Sequence, residues 1–387
     1  MIQLPVDPMV TFTRSTVGHG FDVTGAIVAS AINVLRLDVD PVTLAARGLL
    51  LEGSTAELIP QSAITTTWWV NFGSPTLTYL TLNALGQFPG VQVASGGAVA
   101  DRIGLRATAP IACTSGTEMQ IDLYYRSGTS GRLRWQALDD ASAAVCRITG
   151  VIGALSVTTA TGGTMAIIED VALAGGTERR LRVSFIPNFT GAFRLSGGPD
   201  SAVAGESVIL LGLFVRAEDH QGSPIITTAG GLTRAADFAS INPGPWFNAA
   251  AGTGVIDLIL PNPLPVPPRV ALQFDDGSTA NRIRLRLQNF NAHLTVASGG
   301  VDVAELNGGA VAAGASLKIA FAYAAGAFAI SVGGAACVTG AAGAVPVGIN
   351  RFHLGRTGSS QFLDGWIKSL VWFPDRKTNA DLQALAA

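Results

Sequence analysis

Residues 317–338 read LKIAFAYAAGAFAISVGGAACV, a stretch long and apolar enough to pass for a membrane-spanning helix. Its periodicity says otherwise. Leu317, Ile319, Phe321 and Tyr323 alternate with Lys318, Ala320 and Ala322, the period-two pattern of a strand with one buried side. Ala324-Ala325-Gly326 breaks the run, and Phe328, Ile330 and Val332 resume the same face. Two such runs joined by a short glycine-containing turn make a β-hairpin, and membrane insertion is excluded on this reading.

The same alternation recurs along the chain. Ile121–Arg126, Leu133–Leu138, Leu181–Ile186 and Ser207–Val215 are strand-like runs separated by Gly- and Ser-rich turns. So are Val255–Leu260, Val270–Phe274, Asn281–Gln288 and Gly365–Phe373. No long helical period intervenes, which is the signature of an all-β sandwich. The reading divides the chain into a turn-rich segment over 1–62, one set of strands over 63–218, a turn-rich linker over 219–231, and a second set over 232–387. The proline-rich stretch from Pro261 to Pro268 is an irregular connector, since proline cannot donate to a ladder. TNADLQALAA at 378–387 predicts one short closing helix, with Thr378 as its cap.

Of 387 residues, 13% are charged and 48% hydrophobic, so sizeable cores are affordable and the surface falls to Ser, Thr, Asn, Gly and Ala. The net charge of −2 gives no basic face for nucleic acid. Cys113, Cys146 and Cys337 are too few and too scattered for a disulfide framework or a zinc site. MIQLPVDPMV lacks the basic region and apolar run of a signal peptide.

The opening carries a different kind of information. Thr11-Phe-Thr-Arg-Ser15 is followed by Asp22-Val-Thr-Gly25 and then by NVLRLDVDPVTLAARGLLLE over 33–52. Leu35, Leu37 and Val39 alternate with Arg36, Asp38 and Asp40, a half-buried strand ended by Asp40-Pro41. Further on, the end of the middle region contains Thr233-Arg-Ala-Ala-Asp237. The closing region contains FDDG at 274–277, Asn281-Arg-Ile283 and Asn379–Leu385. This series resembles bacteriophage tail-fibre and spike proteins, including spikes of gene-transfer agents. The resemblance implies a jelly-roll, carbohydrate-binding-module-like domain followed by a concanavalin A-like (laminin-G-like) lectin domain. It further implies a virion or particle-surface location, host polysaccharide and other particle proteins as partners, and a homo-oligomer, either a trimer or a pentamer at a capsid vertex.

Catalysis finds little support. Glycan cleavage needs two carboxylates flanking the scissile bond, and after Glu218 the chain has a single glutamate, Glu305. His19, His220, His293 and His353 share no ligand spacing. No enzyme activity is expected, with a capsule depolymerase and a purely structural spacer as the competing readings. Asp275, Asp276 and Asn281 are candidates for a calcium ion, because hard cations take clustered oxygens. No other cofactor is expected.

For sugar binding, aromatic rings and hydrogen-bonding groups are needed together. Trp68, Trp69, Tyr124 and Trp246 are the aromatic candidates, with Tyr124 on the more polar face of its strand beside Asp122 and Arg126. Arg282, Arg284 and Arg286 alternate with Ile283, Leu285 and Leu287, which puts three guanidiniums on one sheet face. Such a row suits an acidic capsular polysaccharide through charge-assisted, bidentate bonds.

Overall fold

A computed structural model describes residues 10–106, 108–139, 143–220, 222–264 and 267–387. Residues 1–9, read above for a leader, and positions 221, 265 and 266 in the linker and the proline-rich connector lie outside the described residues. Among the described residues the chain is all-β, with antiparallel pairing throughout and one closing helix.

The C-terminal sandwich shows how the hairpin is used. Ser316–Ala324 pairs with Phe328–Val332, Ile319 opposite Val332 and Phe321 opposite Ile330. Ile319, Phe321, Tyr323, Phe328 and Ile330 enter the core between two seven-stranded sheets. The reverse face carries Ala320, Ala322 and Ala329, and these small residues seat the helix Asn379–Ala386 through Leu382 and Ala386. Thr378 caps that helix in a reciprocal capping box with Asp381.

One sheet of this sandwich runs Val10–Thr13, Phe238–Ile241, Arg351–Leu354, Arg269–Asp275, Arg282–Gln288, Asn291–Ser298, Val301–Ala310. The other includes Ala251–Ile259 and Gly365–Phe373, and is extended by Ala46–Leu51 and Leu37–Val39. The opening segment therefore supplies strands to both sheets of a sandwich that begins two hundred residues later. It also supplies Thr55–Glu57 to the middle sandwich, where that strand pairs with Ser207–Arg216 and with Leu232–Arg234. The middle sandwich has its own core, built around Trp135, Leu123, Phe185 and Phe193.

The close approach of the opening segment explains Gly48. It has φ +99°, and a Cβ there would lie 2.4 Å from the carbonyl oxygen of Ile367. Only glycine combines that backbone with that contact.

Charged residues of the opening segment and of Thr233–Asp237 converge in one buried ion cluster. Arg14, Arg36, Glu52, Arg234 and Asp237 are all at most 2% exposed. Arg14 reaches Asp237 at 3.1 Å, Arg36 pairs with both Asp237 and Glu52 (2.6 Å to the latter), and Arg234 lies 3.4 Å from Glu52. Arg14 also donates to the carbonyl oxygens of Thr16, Ser30 and Ala31. The backbone amide of Glu52 donates to Asp237 at 2.9 Å, and Ser223 donates twice to Glu52. Burial alone would raise the Glu52 carboxyl, but Arg234, Arg36 and Ser223 outweigh it and hold it well below the usual range. His19 is pushed down to about 4 by burial and by Arg36, Arg14 and Arg234, so it stays neutral. The motif is a clasp: it fastens the opening segment to the linker, to the strand Leu232–Arg234 of the middle sandwich and to Asp237, which leads into Phe238–Ile241 of the C-terminal sandwich.

Candidate functional site

Sandwich sheets normally present one face to the core and one to solvent. In the sheet containing Arg282–Gln288 one row of the solvent face is polar across the whole width. Register places Glu305, Thr295, Arg284, Gln273, His353, Ser240 and Thr11 side by side, one from each of seven strands. Their strand neighbours Leu272, Phe274, Leu285, Phe352 and Leu354 face the core. A second row sets Arg282, Asp275 and Arg351 opposite one another.

Over these rows lies a groove of about 460 Å³. Gln273, Asp275, Arg282, Arg284, Arg351 and His353 line its floor, and residues 277–279 and 357–361 form its walls. The floor is preorganised. Asp275 accepts from Gln273 at 2.8 Å and from the Gly277 amide at 2.8 Å, with His353 Nε2 at 3.4 Å. Burial would raise the Asp275 carboxyl, but these hydrogen bonds, His353 first, keep it below its ordinary range. Arg284 is only 7% exposed and makes long contacts to neutral acceptors, Thr295 at 3.4 Å and Gln361 at 3.3 Å. Burial, then Arg282 and Arg286, lower it to about 10.

The arginine row read from the sequence is thus split. Arg282 and Arg284 reach the groove, while Arg286 pairs with Glu305 on the adjacent strand and does not line it. Sequence reasoning missed Gln273, Arg351 and His353. A signal was present: LQFD at 272–275 and RFHL at 351–354 alternate just as the arginines do. What could not be read was that these strands are neighbours.

The aromatic candidates do not join this site. Tyr124 is fully buried, edge-on to Phe214 and stacked near Phe88. Its strand does have a second face, but the opening segment covers it with Phe21, Ile27 and Val39. No face of that ring is open to a sugar, and its neighbour Asp122 is consumed by Arg216 at 2.8 Å. Trp69 is 2% exposed in the middle core, and Trp68 is half-buried against it. Trp246 packs against Phe247, Phe352 and Trp372 at the edge of the C-terminal core. Phe238, on the face of Ser240, is in edge contact with Phe362 at 5.9 Å, with Arg356 4.6 Å above its ring.

The calcium candidates have other partners. Asp276 accepts from the Ser278 amide and hydroxyl and from Asn281 Nδ2, and Asn281 Oδ1 accepts from Gly299. Among the described residues no group of three or more His, Cys, Asp or Glu side chains is arranged to hold a metal ion. No helix of the described residues is long and apolar enough to cross a membrane.

No family model matches the chain, and no curated protein does. Among solved structures it is similar to domain 4 of AbnA, a GH43 extracellular arabinanase from Geobacillus stearothermophilus in complex with arabinotriose. That likeness has a TM-score of 0.33 and 17% identity, over 44% of this chain and 84% of that one. It is also similar to domains LG4-5 of the mouse laminin alpha1 chain, with a TM-score of 0.28 and 11% identity, over 86% and 90%. A third likeness is to Trypanosoma rangeli sialidase in complex with sialic acid, with a TM-score of 0.29 and 11% identity, over 97% and 76%. At these TM-scores neither an activity nor a site passes from those proteins to this chain.

Proposed function

We propose that this chain is a non-enzymatic receptor-binding spike or fibre subunit of a phage or phage-like gene-transfer particle, attaching to cell-surface or capsular polysaccharide. The observation that carries the reading is the groove: a wide, preformed polar trough on the solvent face of a sheet, floored by side chains that are themselves mostly buried. Sugar hydroxyls are met by fixed donors and acceptors, and Gln273, Asp275 and His353 supply both. Binding without cleavage is supported by the lining, in which Asp275 is the one carboxylate, whereas glycoside hydrolysis uses two.

The particle context rests on the resemblance of the opening and of Thr233–Asp237 to phage fibres. In that setting the two sandwiches, 63–218 and 232–387, are display domains, and the opening segment mounts the subunit. Its motif residues are turned inward in the clasp, which leaves exposed apolar side chains such as Val23, Ile32 and Val34 for contact with other particle proteins or subunits. A trimer, or a pentamer at a vertex, would multiply weak sugar contacts into firm attachment. The test is binding of purified protein to host cells with and without capsule, alongside an assay for released reducing ends. Capsule-dependent binding with no release is expected; release of reducing ends would make the chain a depolymerase, and capsule-independent binding would remove the polysaccharide.

A further inference from the structure

We infer that the groove selects a carboxylate-bearing saccharide, such as a hexuronate-containing polysaccharide, and that Arg284 and Arg351 hold its carboxylate. This deepens the glycan-binding reading and rests on it. Buried charges in proteins are normally paired, and the arginines of this chain that are at most 2% exposed obey that rule: Arg14, Arg36, Arg180, Arg216 and Arg234 each lie against a carboxylate. Arg102 and Arg356, at 9% and 7%, donate instead to the backbone carbonyls of Ala100 and Thr357 and lie outside the groove. Arg284 has neither a carboxylate nor a backbone carbonyl. It is 93% buried by its 7% exposure, yet no carboxylate lies within ion-pair distance among the described residues, and its Nη2 makes no hydrogen bond.

Arg351 stands two strands away on the same floor, exposed, with neither a hydrogen bond nor an ion pair among the described residues. Among the described residues Arg282 has only Asp302, at 3.9 Å and itself more than half exposed. Three guanidiniums therefore line a groove whose single carboxylate, Asp275, is already occupied by Gln273, His353 and the Gly277 amide. The surplus is cationic and fixed in place. A guanidinium offers paired N–H donors matched to the two oxygens of a carboxylate, and the neutral donors and acceptors beside it suit the hydroxyls of the same sugar.

The test is an array of immobilised bacterial polysaccharides, neutral, carboxylated and sulfated, with each carboxylated polymer also present in carboxyl-reduced form. The wild-type protein is expected to bind carboxylated polymers and to lose at least about tenfold on their reduced forms, the scale of one lost charge-assisted contact. Arg351→Gln, at an exposed position where folding is not at stake, and Arg284→Gln, checked by its unfolding midpoint, are each expected to bind the carboxylated polymer as weakly as wild type binds the reduced one. Equal binding to native and reduced polymer, or a preference for sulfated over carboxylated polymers, would overturn the inference and leave glycan binding standing. Loss on reduction with both variants unaffected would place the carboxylate elsewhere on the protein. Binding to no polysaccharide would remove the glycan reading itself.

Discussion

Replacing Asp237 by Asn should test the clasp at its centre. The side chain is fully buried, pairs with Arg14 and Arg36, lies 3.8 Å from Arg234, and accepts the Glu52 amide at 2.9 Å. The amide keeps the shape and removes the charge. Three buried guanidiniums then face Glu52 alone, so the formal local charge rises from +1 (three cations, two anions) to +2. Removing one partner of a buried pair costs about 3–5 kcal/mol, because the charge left behind cannot reach water. For a chain of this length unfolding as one unit, about 4 kcal/mol lowers the melting temperature by roughly 5 °C, at about 2 cal/mol/K of unfolding entropy per residue. Urea denaturation followed by tryptophan fluorescence measures the loss without adding salt. The control is Asp375→Asn, which breaks a 2.8 Å pair with Lys377 at the surface, and surface pairs are worth less than about 1 kcal/mol. If Asp237→Asn stays within about 1 kcal/mol of wild type, or if the control loses as much, burial of the cluster is not what gives it weight.

Three further outcomes follow from the same structure. Burial alone would lower His220, but Asp364 and Glu218 outweigh it and raise it to about 8. Its contribution is complete below the unfolded value near 6.5 and is lost as pH rises through about 8. Glu57, raised to about 8 by burial despite Arg216 at 3.9 Å, adds loss in the same direction above about 4.5. Stability measured at pH 6 and pH 9 should therefore fall, and His220→Gln should shrink the difference; an unchanged slope would exclude His220 as a source. Gly48→Ala should cost at least about 2 kcal/mol, since it combines a strained φ with a clash against backbone, and a neutral effect in the same urea assay would contradict the placement of that strand. Trp68→Ala should leave polysaccharide binding within about twofold of wild type in a direct titration, because its ring packs on the middle core; a tenfold loss would move the site to the middle sandwich.

How much was legible in the sequence depended on how local the cause was. The hairpin over Ser316–Ala324 and Phe328–Val332 was readable because alternation and turn lie within one short stretch. The closing helix was readable because its capping box spans only Thr378 to Asp381. The arginine row was half readable. Alternation put Arg282, Arg284 and Arg286 on one face, but which of them is satisfied depends on Glu305 across the sheet, and what completes the groove depends on Arg351 and His353, some seventy residues on. Tyr124 failed for the same reason in reverse: its polar-looking face is covered by an opening segment about a hundred residues upstream. The charged residue types of the opening segment and of Thr233–Asp237 have a physical cause in the fold. Arg14, Arg36 and Glu52 are distant in sequence from Arg234 and Asp237 and meet them only in the fold, where each charge needs another.

On the proposed function, the polar face of the C-terminal sandwich holds the ligand. Ser359 is an exposed residue of the groove wall, so Ser359→Trp fills the groove with an indole while leaving the buried floor intact. Titration of host capsular polysaccharide into wild-type and Ser359→Trp protein is the direct measurement. Binding by wild type and at least about tenfold weaker binding by the variant, with equal unfolding midpoints, is the expected result. Equal affinity would place the ligand elsewhere and contradict the account.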